Sequence, residues 1–104
     1  MYLTLIPLRH DTPLIAERHG DVLTLNGKIH DFSTLPEGGE LSAETLGSPW
    51  IPEQVRRRDG VLHLVLLIPH GADAPAISRY PAPLTLEQDG PLDLPPYGAT
   101  GTAN

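Results

Sequence analysis

Cysteine is absent from this 104-residue chain, and its absence excludes several kinds of chemistry. Without a thiol there is no disulfide framework, no zinc site with thiolate ligands and no cysteine nucleophile. Aromatic residues make up only 5% of the chain, so the core has to be built from leucine, isoleucine and valine. Lys and Arg number 7 against 13 Asp and Glu, which gives a formal net charge of −6. That balance opposes nucleic-acid binding, which depends on neutralising phosphates.

Long apolar runs and targeting signals are also missing. No apolar run approaches the roughly 18 residues of a membrane span. The stretch from Tyr2 to Arg9 is apolar but short, and it has no basic region before it and no cleavage signature, so no signal peptide is predicted. We therefore expect a soluble protein that binds no membrane and acts in the cytoplasm or as part of a virion.

Proline and glycine, in contrast, are abundant, with 12 and 10 residues. Because proline is excluded from helix interiors and central strands, this content favours short strands joined by tight turns. A chain of this length has room for one modest core. We expect residues 1–94 to form a single β-rich domain. Residues 95–104, rich in proline, glycine and small residues, are expected to form a flexible C-terminal tail.

The fold is predicted to be organised around a hairpin at Asp59-Gly60. Both residue types tolerate the positive φ of a type I′ turn, and strand-like runs flank them. On the second strand one face is predicted to be core, and it carries Leu62, Leu64, Leu66 and Ile68. The other face is too apolar to be fully solvated, and it carries Val61, His63, Val65 and Leu67.

Two further expectations concern the ends of this hairpin. Pro69 is expected to end the second strand, because proline cannot donate to a ladder. A two-residue turn places Arg57 beside Leu62, so Arg57 is expected to reach past the hairpin end to water.

The remaining strands are predicted from alternation and turn residues, at 2–9, 14–18, 22–25 and 28–32. At Asn26-Gly27, a two-residue loop would pair Leu23 with His30. A three-residue loop would pair Leu23 with Ile29, and it is preferred because both residues are apolar. Ser42 to Gly47 is predicted to form one helical turn, and residues 84–86 and 92–94 a last small hairpin. The sequence thus predicts a mainly β domain, a small antiparallel sandwich or rolled sheet of about seven short strands with one short helical turn.

Catalytic and metal-binding patterns are weak. His63, His70 and Asp73 are the residues that would have to converge in a metal or hydrolase site, but no His-x-His or His-x-x-x-His pair exists. The serines stand in predicted loops without a nucleophile elbow. We predict a non-enzymatic protein without a cofactor or a metal.

Contacts with a protein partner are predicted at Trp50, at Tyr80 and at the basic run formed by Arg56, Arg57 and Arg58. The run can clamp an acidic partner or a phosphate, or it can simply solvate a hairpin end. Exposed edge strands beside proline-rich loops are expected to dock a partner by strand addition or to form oligomers.

Several turn and strand motifs occur together: Leu-Thr-Leu-Asn-Gly-Lys-Ile-His-Asp-Phe from Leu23, Ser48-Pro-Trp, Asp59-Gly-Val-Leu-His-Leu and Pro69-His-Gly-Ala-Asp-Ala-Pro. In these motifs the chain resembles small proteins encoded in the tail regions of bacteriophages and prophages. The resemblance implies a tail-associated or tail-assembly accessory role, and it carries over no catalytic residue.

The expected function is therefore a non-enzymatic protein–protein interaction module that binds phage tail components or itself. One alternative is a small acidic inhibitor of a host defence complex, which would occupy a basic groove by charge complementarity. Another is a small hydrolase or metal-binding protein, which requires His63, His70 and Asp73 to converge in a pocket.

Overall fold

The computed structural model describes residues 1–95 and residue 97. Within them the chain forms two β-sheets and two short helices. The strands are β1 (Tyr2–Arg9), β2 (Ala16–His19), β3 (Val22–Leu25), β4 (Lys28–Asp31), β5 (Glu40–Leu41), β6 (Val55–Arg58), β7 (Val61–His70), β8 (Leu84–Thr85) and β9 (Gly90–Pro91). The helices are α1 (Ala43–Leu46) and α2 (Ala76–Arg79).

The two sheets share one hydrophobic core. The five-stranded sheet has the order β5-β6-β7-β1-β8, and the four-stranded sheet has the order β4-β3-β2-β9. Leu64 and Leu66 of the first sheet belong to the same buried cluster as Leu23 and Leu25 of the second. The mainly β class predicted from the sequence is confirmed, with more strands than expected and a second helix.

The central hairpin forms as predicted. Asp59 and Gly60 have φ values of 52° and 76°, and Arg58 pairs with Val61 across the two-residue turn. The predicted core face of β7 is buried, with exposures between 0% and 3% at its alternate leucines and Ile68. Full burial of each such side chain stabilises the fold by about 1.5–3 kcal/mol, so β7 is the main contributor to the core.

β7 pairs with β1 in parallel, from Tyr2 opposite His63 to Arg9 opposite His70. An all-antiparallel sheet was expected. The parallel pair is possible because the chain builds β2, β3 and β4 in the other sheet before it returns to lie beside β1, which supplies the long connection that parallel strands need.

The prediction that Pro69 ends this strand was wrong, because β7 continues to His70. The reason is the direction in which alternate N–H groups point. Leu67 donates its N–H to the Trp50 carbonyl at 2.8 Å, on the side away from β1. Pro69 shares that direction, so its missing N–H removes no bond to β1.

The three-residue loop preferred at Asn26-Gly27 was also wrong. Leu25 pairs with Lys28 and Leu23 with His30, around a two-residue turn in which Asn26 and Gly27 both have positive φ. Turn geometry therefore prevails over apolar matching, and His30 is buried at 5% exposure while Ile29 points outward.

His30 is an unusual core residue because one of its buried ring nitrogens is unpaired in the described structure. Its ring stacks on Phe32, with centroids 6.4 Å apart, but its buried Nε2 has no hydrogen-bond partner among the described residues. Burial, helped by the nearby Lys28 charge, lowers the pKa of His30, so the folded state favours the neutral imidazole.

The last predicted hairpin does not form. β8 pairs with Tyr2 and Leu3 of β1, whereas β9 pairs with β2 in the other sheet. The segment from 84 to 91 therefore crosses between the sheets at one end of the core. The helical turn α1 is confirmed, with Ser42 accepting the Thr45 N–H at its start and Gly47 in the left-handed region at its end.

Side chains from distant loops secure the hairpin turns. The two carboxylate oxygens of Glu37 accept the N–H groups of Asp59 and Gly60, at 2.6 and 2.7 Å. Asp89 accepts the Gly20 N–H at 2.8 Å in the turn between β2 and β3. Successive N–H groups in a turn form an anion-binding concavity, and here the chain fills it with its own carboxylate.

Tyr97, which lies in the predicted tail, is hydrogen-bonded to the domain. Its hydroxyl donates to the His10 carbonyl at 2.6 Å, and its carbonyl accepts the Gly71 N–H at 2.7 Å. Of the predicted tail, Pro96 and residues 98–104 lie outside the described residues. Neither helix in residues 1–95 has the length and apolarity needed to cross a membrane.

Candidate protein-binding surface

The side of the five-stranded sheet that faces away from the core is the strongest candidate surface, and we call it the outer face. Strand alternation sends every second side chain of each strand to it. Its residues are Tyr2, Thr4, Ile6, Glu40, Arg56, Arg58, Val61, His63, Val65, Leu67 and Thr85.

The apolar residues of the outer face are incompletely covered. Val61 and Ile6 are 36% and 37% exposed, and Val65 and Leu67 are half-buried, whereas the opposite face of β7 is almost fully buried. The sequence predicted that both faces of this strand would be at least partly covered. The fold encloses one face and leaves the other with an apolar stripe along β1 and β7.

A polar row crosses all strands of this sheet beside the apolar stripe. The register places Glu40 opposite Arg56, Arg56 opposite His63, and His63 opposite Tyr2, which is opposite Thr85. Directly paired residues share a face, so these side chains are neighbours across the whole sheet. The Tyr2 and His63 rings are in contact, with centroids 5.6 Å apart.

Two cations on the outer face have no ionic partner within the described residues. Arg56 and Arg58 form no ion pair there, whereas Arg9, Arg18 and Arg57 each pair with an aspartate. Glu40 is directly opposite Arg56, but its carboxylate accepts the Gln54 amide at 2.9 Å instead. The guanidinium group of Arg56 is therefore available to a ligand.

A cleft of about 170 Å³ opens along the polar row. Tyr2, Thr4, Arg56 and His63 contribute to its polar lining, together with Glu53 and Gln54. Among the described hollows it brings the largest number of hydrogen-bonding side chains together. Convergent polar groups in a concave site are what gives a pocket specificity.

Two other hollows, of about 290 and 280 Å³, lie on either side of the segment from Asp93 to Pro95. Their linings are mainly proline and aliphatic side chains, and Asp93 is the charged residue among the described residues that lines them. They offer space without convergent polar groups, so they are weaker candidates for a specific ligand site.

Arg57 was predicted to contact a partner, yet it points to the other side of β6. Its guanidinium donates to the Leu35 carbonyl at 2.7 Å and, at 3.0 Å each, to the Phe32 carbonyl and the Asp21 carboxylate. Its side chain is 14% exposed, so the expectation that Arg57 reaches past the hairpin end to water was wrong. It ties the five-stranded sheet to the turn and strand end of the other sheet.

The two aromatic residues predicted to contact a partner occupy different environments. Trp50 is 8% exposed within the core cluster, where its ring meets the edge of His10 at 5.4 Å. Tyr80 follows α2 and is 80% exposed. The structure thus brings Arg56 and Arg58 onto one face with Tyr2 and leaves Trp50 inside; partner contact by these residues stays a prediction.

The histidines considered for catalysis do not converge. His63 and His70 stand seven residues apart on β7, a separation of roughly 23 Å along a strand, and an odd spacing puts them on opposite faces. His70 Nδ1 lies 3.0 Å from the Gly71 carbonyl. Over residues 1–95 and 97, no three His, Asp or Glu side chains are grouped closely enough to hold a metal.

Sequence reasoning missed the contribution of Tyr2 and Gln54 to the surface. Nothing in the order of residues indicates that the first strand lies beside His63, because that pairing is parallel and long-range. The opposition of Arg56 and His63, in contrast, follows directly from the Asp59-Gly60 turn.

Comparisons with known proteins found no match, whether to family models, to curated proteins or to solved structures.

Proposed function

We propose that this chain is a non-enzymatic protein-interaction module that binds another protein through the outer face. The supporting observation is that β7 is apolar on both sides while the fold buries only one of them. An apolar stripe beside uncommitted arginines suits a partner surface that combines apolar side chains with carboxylates.

The outer face suits this role better than the sheet edges, which were expected to dock the partner. Three of the outermost strands, β5, β8 and β9, have two residues each, and β4 has four. Very short edge strands are a device by which proteins avoid edge-to-edge pairing. Strand addition would therefore have little backbone to extend, whereas the outer face spans all the strands of its sheet.

A tail-associated or tail-assembly accessory role in a bacteriophage is part of the proposal, and so is association with the virion. Its support is the resemblance of the turn and strand motifs around Asn26-Gly27, Asp59-Gly60 and His70 to small proteins of phage tail regions. The partner would then be a phage tail component or a second copy of the chain.

The alternative of an acidic inhibitor of a host defence complex has less support. Such an inhibitor needs a contiguous carboxylate surface to imitate nucleic acid. Here Asp21 is paired with Arg57, Glu37 closes the central hairpin turn and Asp89 closes the turn between β2 and β3, so these carboxylates are engaged inside the fold. The alternative of a hydrolase or metal-binding protein lacks a converged set of side chains around His63, His70 and Asp73 in the described structure.

The experiment is an affinity capture from phage-infected host cells, with the wild-type chain and two variants as bait and mass spectrometry as readout. Ile6→Thr removes apolar surface from the outer face. Ile29→Thr is the matched control, because Ile29 is 68% exposed on a strand of the other sheet. Threonine is compatible with strands, so both variants keep the fold.

A tail protein or a copy of the chain that is recovered by wild type and Ile29→Thr, and lost with Ile6→Thr, supports the proposal. Recovery of a defence complex would favour the alternative function instead. A partner that all three baits retain equally would show that the outer face is not the docking surface.

A further inference from the structure

We propose that the cleft on the outer face is a carboxylate-binding site, formed by Arg56, His63 and Tyr2, that takes an acidic side chain from an extended segment of a protein partner. The inference rests on the proposed function and names the group on the partner that is recognised.

The first step is the availability of the cation. Gln54 donates its amide to Glu40 at 2.9 Å, and Arg56 forms no ion pair with Glu40 although the two residues are directly opposed. Without the Gln54 contact, Glu40 would be the natural partner for Arg56. Gln54 therefore holds the Glu40 carboxylate by Oε2 in a position where it forms no bond to Arg56, and the guanidinium is free to bind a carboxylate from outside.

The second step is the arrangement around the cation. His63 is the cross-strand neighbour of Arg56, and Tyr2 is the neighbour of His63 on the other side. A guanidinium, an imidazole and a phenol thus line one cleft in a row, and each has an N–H or O–H to donate. A planar carboxylate accepts such donors, and arginine binds it in a bidentate manner.

The third step is size and charge. A volume of about 170 Å³ is below the roughly 300–1,000 Å³ of pockets for drug-sized ligands, so it suits the end of a side chain better than a nucleotide. Glu53 also lines the cleft, and its negative charge opposes a doubly charged phosphate more than a singly charged carboxylate. These features favour an Asp or Glu side chain of the partner.

The fourth step is what surrounds the cleft. Val65 contributes to its wall, and Ile6 and Leu67 extend the apolar stripe farther along the same strands. An extended segment alternates its side chains with period two. A segment with one acidic residue and apolar residues at every second position would place the carboxylate at Arg56 and the apolar groups on the stripe.

The test measures amide chemical shifts of the full chain while blocked peptides are added at millimolar concentration. The probe is acetyl-Val-Thr-Glu-Thr-Val-amide, and its matched control has Gln in place of Glu. We expect shifts at Tyr2, Arg56 and His63 with the Glu peptide and at least about fivefold weaker binding of the Gln peptide. Arg56→Gln should weaken the Glu peptide by about tenfold. Lys28→Gln, which removes one positive charge from an exposed position on the other sheet, should weaken it by less than about twofold.

Equal binding of the two peptides, equal effects of Arg56→Gln and Lys28→Gln, or no shifts at all would overturn the inference. Acetate and inorganic phosphate serve as additional arms. Shifts as large as those with the Glu peptide would show a general anion site, which also overturns the assignment of a peptide side chain.

The same variants separate this inference from the proposed function. If affinity capture loses a partner with Ile6→Thr but keeps it with Arg56→Gln, the outer face binds a protein and the carboxylate site is wrong. If both variants lose the partner and Lys28→Gln keeps it, the proposed function and the carboxylate site are both supported. If neither Ile6→Thr nor Arg56→Gln loses the partner, the proposed function and the carboxylate site are both wrong.

Discussion

Replacing Arg57 by methionine should show how strongly one side chain couples the two sheets. The guanidinium makes three hydrogen bonds, two of them to the carbonyls of Phe32 and Leu35 and one to the carboxylate of Asp21. Methionine fills a similar volume and donates nothing. Arg57→Met therefore takes this donor from the Leu35 carbonyl, leaves the Phe32 carbonyl with the Leu35 N–H at 3.1 Å, and removes the ion pair at the turn between β2 and β3.

The magnitude follows from the environment of each bond. A hydrogen bond to a charged group contributes about 1.5–3 kcal/mol when it is sheltered. Arg57 is 14% exposed, but Asp21 is 40% exposed, so solvent screens that ion pair and reduces its contribution to about 0–1 kcal/mol. Allowing for water that replaces part of the carbonyl contacts, we expect Arg57→Met to lower the free energy of unfolding by about 2–4 kcal/mol.

Urea denaturation followed by Trp50 fluorescence measures this loss. With a dependence of about 1–3 kcal/mol per molar urea, a loss of about 2–4 kcal/mol should lower the unfolding midpoint by about 0.7–4 M. Arg58→Met is the matched control, because Arg58 is exposed on the outer face without an ion pair in the described structure, and it should shift the free energy of unfolding by less than about 0.5 kcal/mol. Equal effects of the two substitutions would refute the assignment of Arg57 as the tie between the sheets.

Three further predictions concern buried and turn residues. His30→Leu should raise stability at neutral pH by about 1 kcal/mol, because it removes a buried nitrogen without a partner. Folding lowers the pKa of His30 below its unfolded value near 6.5, so protonation of this residue favours the unfolded state. With respect to His30, the free energy of unfolding is therefore greatest above pH 6.5 and falls as the pH is lowered toward the folded-state pKa. Thermal unfolding between pH 7 and 5 should show a weaker pH dependence in His30→Leu. Glu37→Gln should cost about 1 kcal/mol and speed amide exchange at Asp59 or Gly60, since the amide keeps one accepting oxygen for two N–H groups; unchanged exchange at both residues would contradict the turn contacts. Asn26→Gly keeps the turn but loses the side-chain acceptor of the Ile15 N–H at 2.7 Å, so denaturation should show a loss of about 1 kcal/mol, and no loss would show that the turn alone fixes this segment.

The central hairpin could be predicted from rules that involve only neighbouring residues. The Asp59-Gly60 turn, the buried alternate positions of β7 and the helical turn after Ser42 all follow from φ preferences, period-two alternation and capping. Each of these depends on residues close together in the chain. For the same reason the opposition of Arg56 and His63, which underlies the candidate site, was available from the sequence.

The pairing of strands that are far apart in the chain could not be predicted from such local rules. The parallel register of β1 with β7, and the division of residues 84–91 between two sheets, depend on which surfaces meet after the chain has crossed the core. The error at Asn26-Gly27 has a related cause. Apolar matching favoured Ile29 as the inward residue, whereas the turn geometry fixes the register and the core accepts His30 at the cost of an unpaired nitrogen.

The distribution of paired and unpaired charged side chains also indicates which surface of the protein binds other molecules. Arg18 and Arg57 reach aspartates beside the turn between β2 and β3, and Glu37 closes the central hairpin, so these charges are engaged in contacts within the fold. Arg56 and Arg58 form no such contact within the described residues. They stand on the one sheet face that also retains an apolar stripe. A chain of net charge −6 that leaves cations free on this face combines, on a single surface, the two features by which proteins recognise acidic partners.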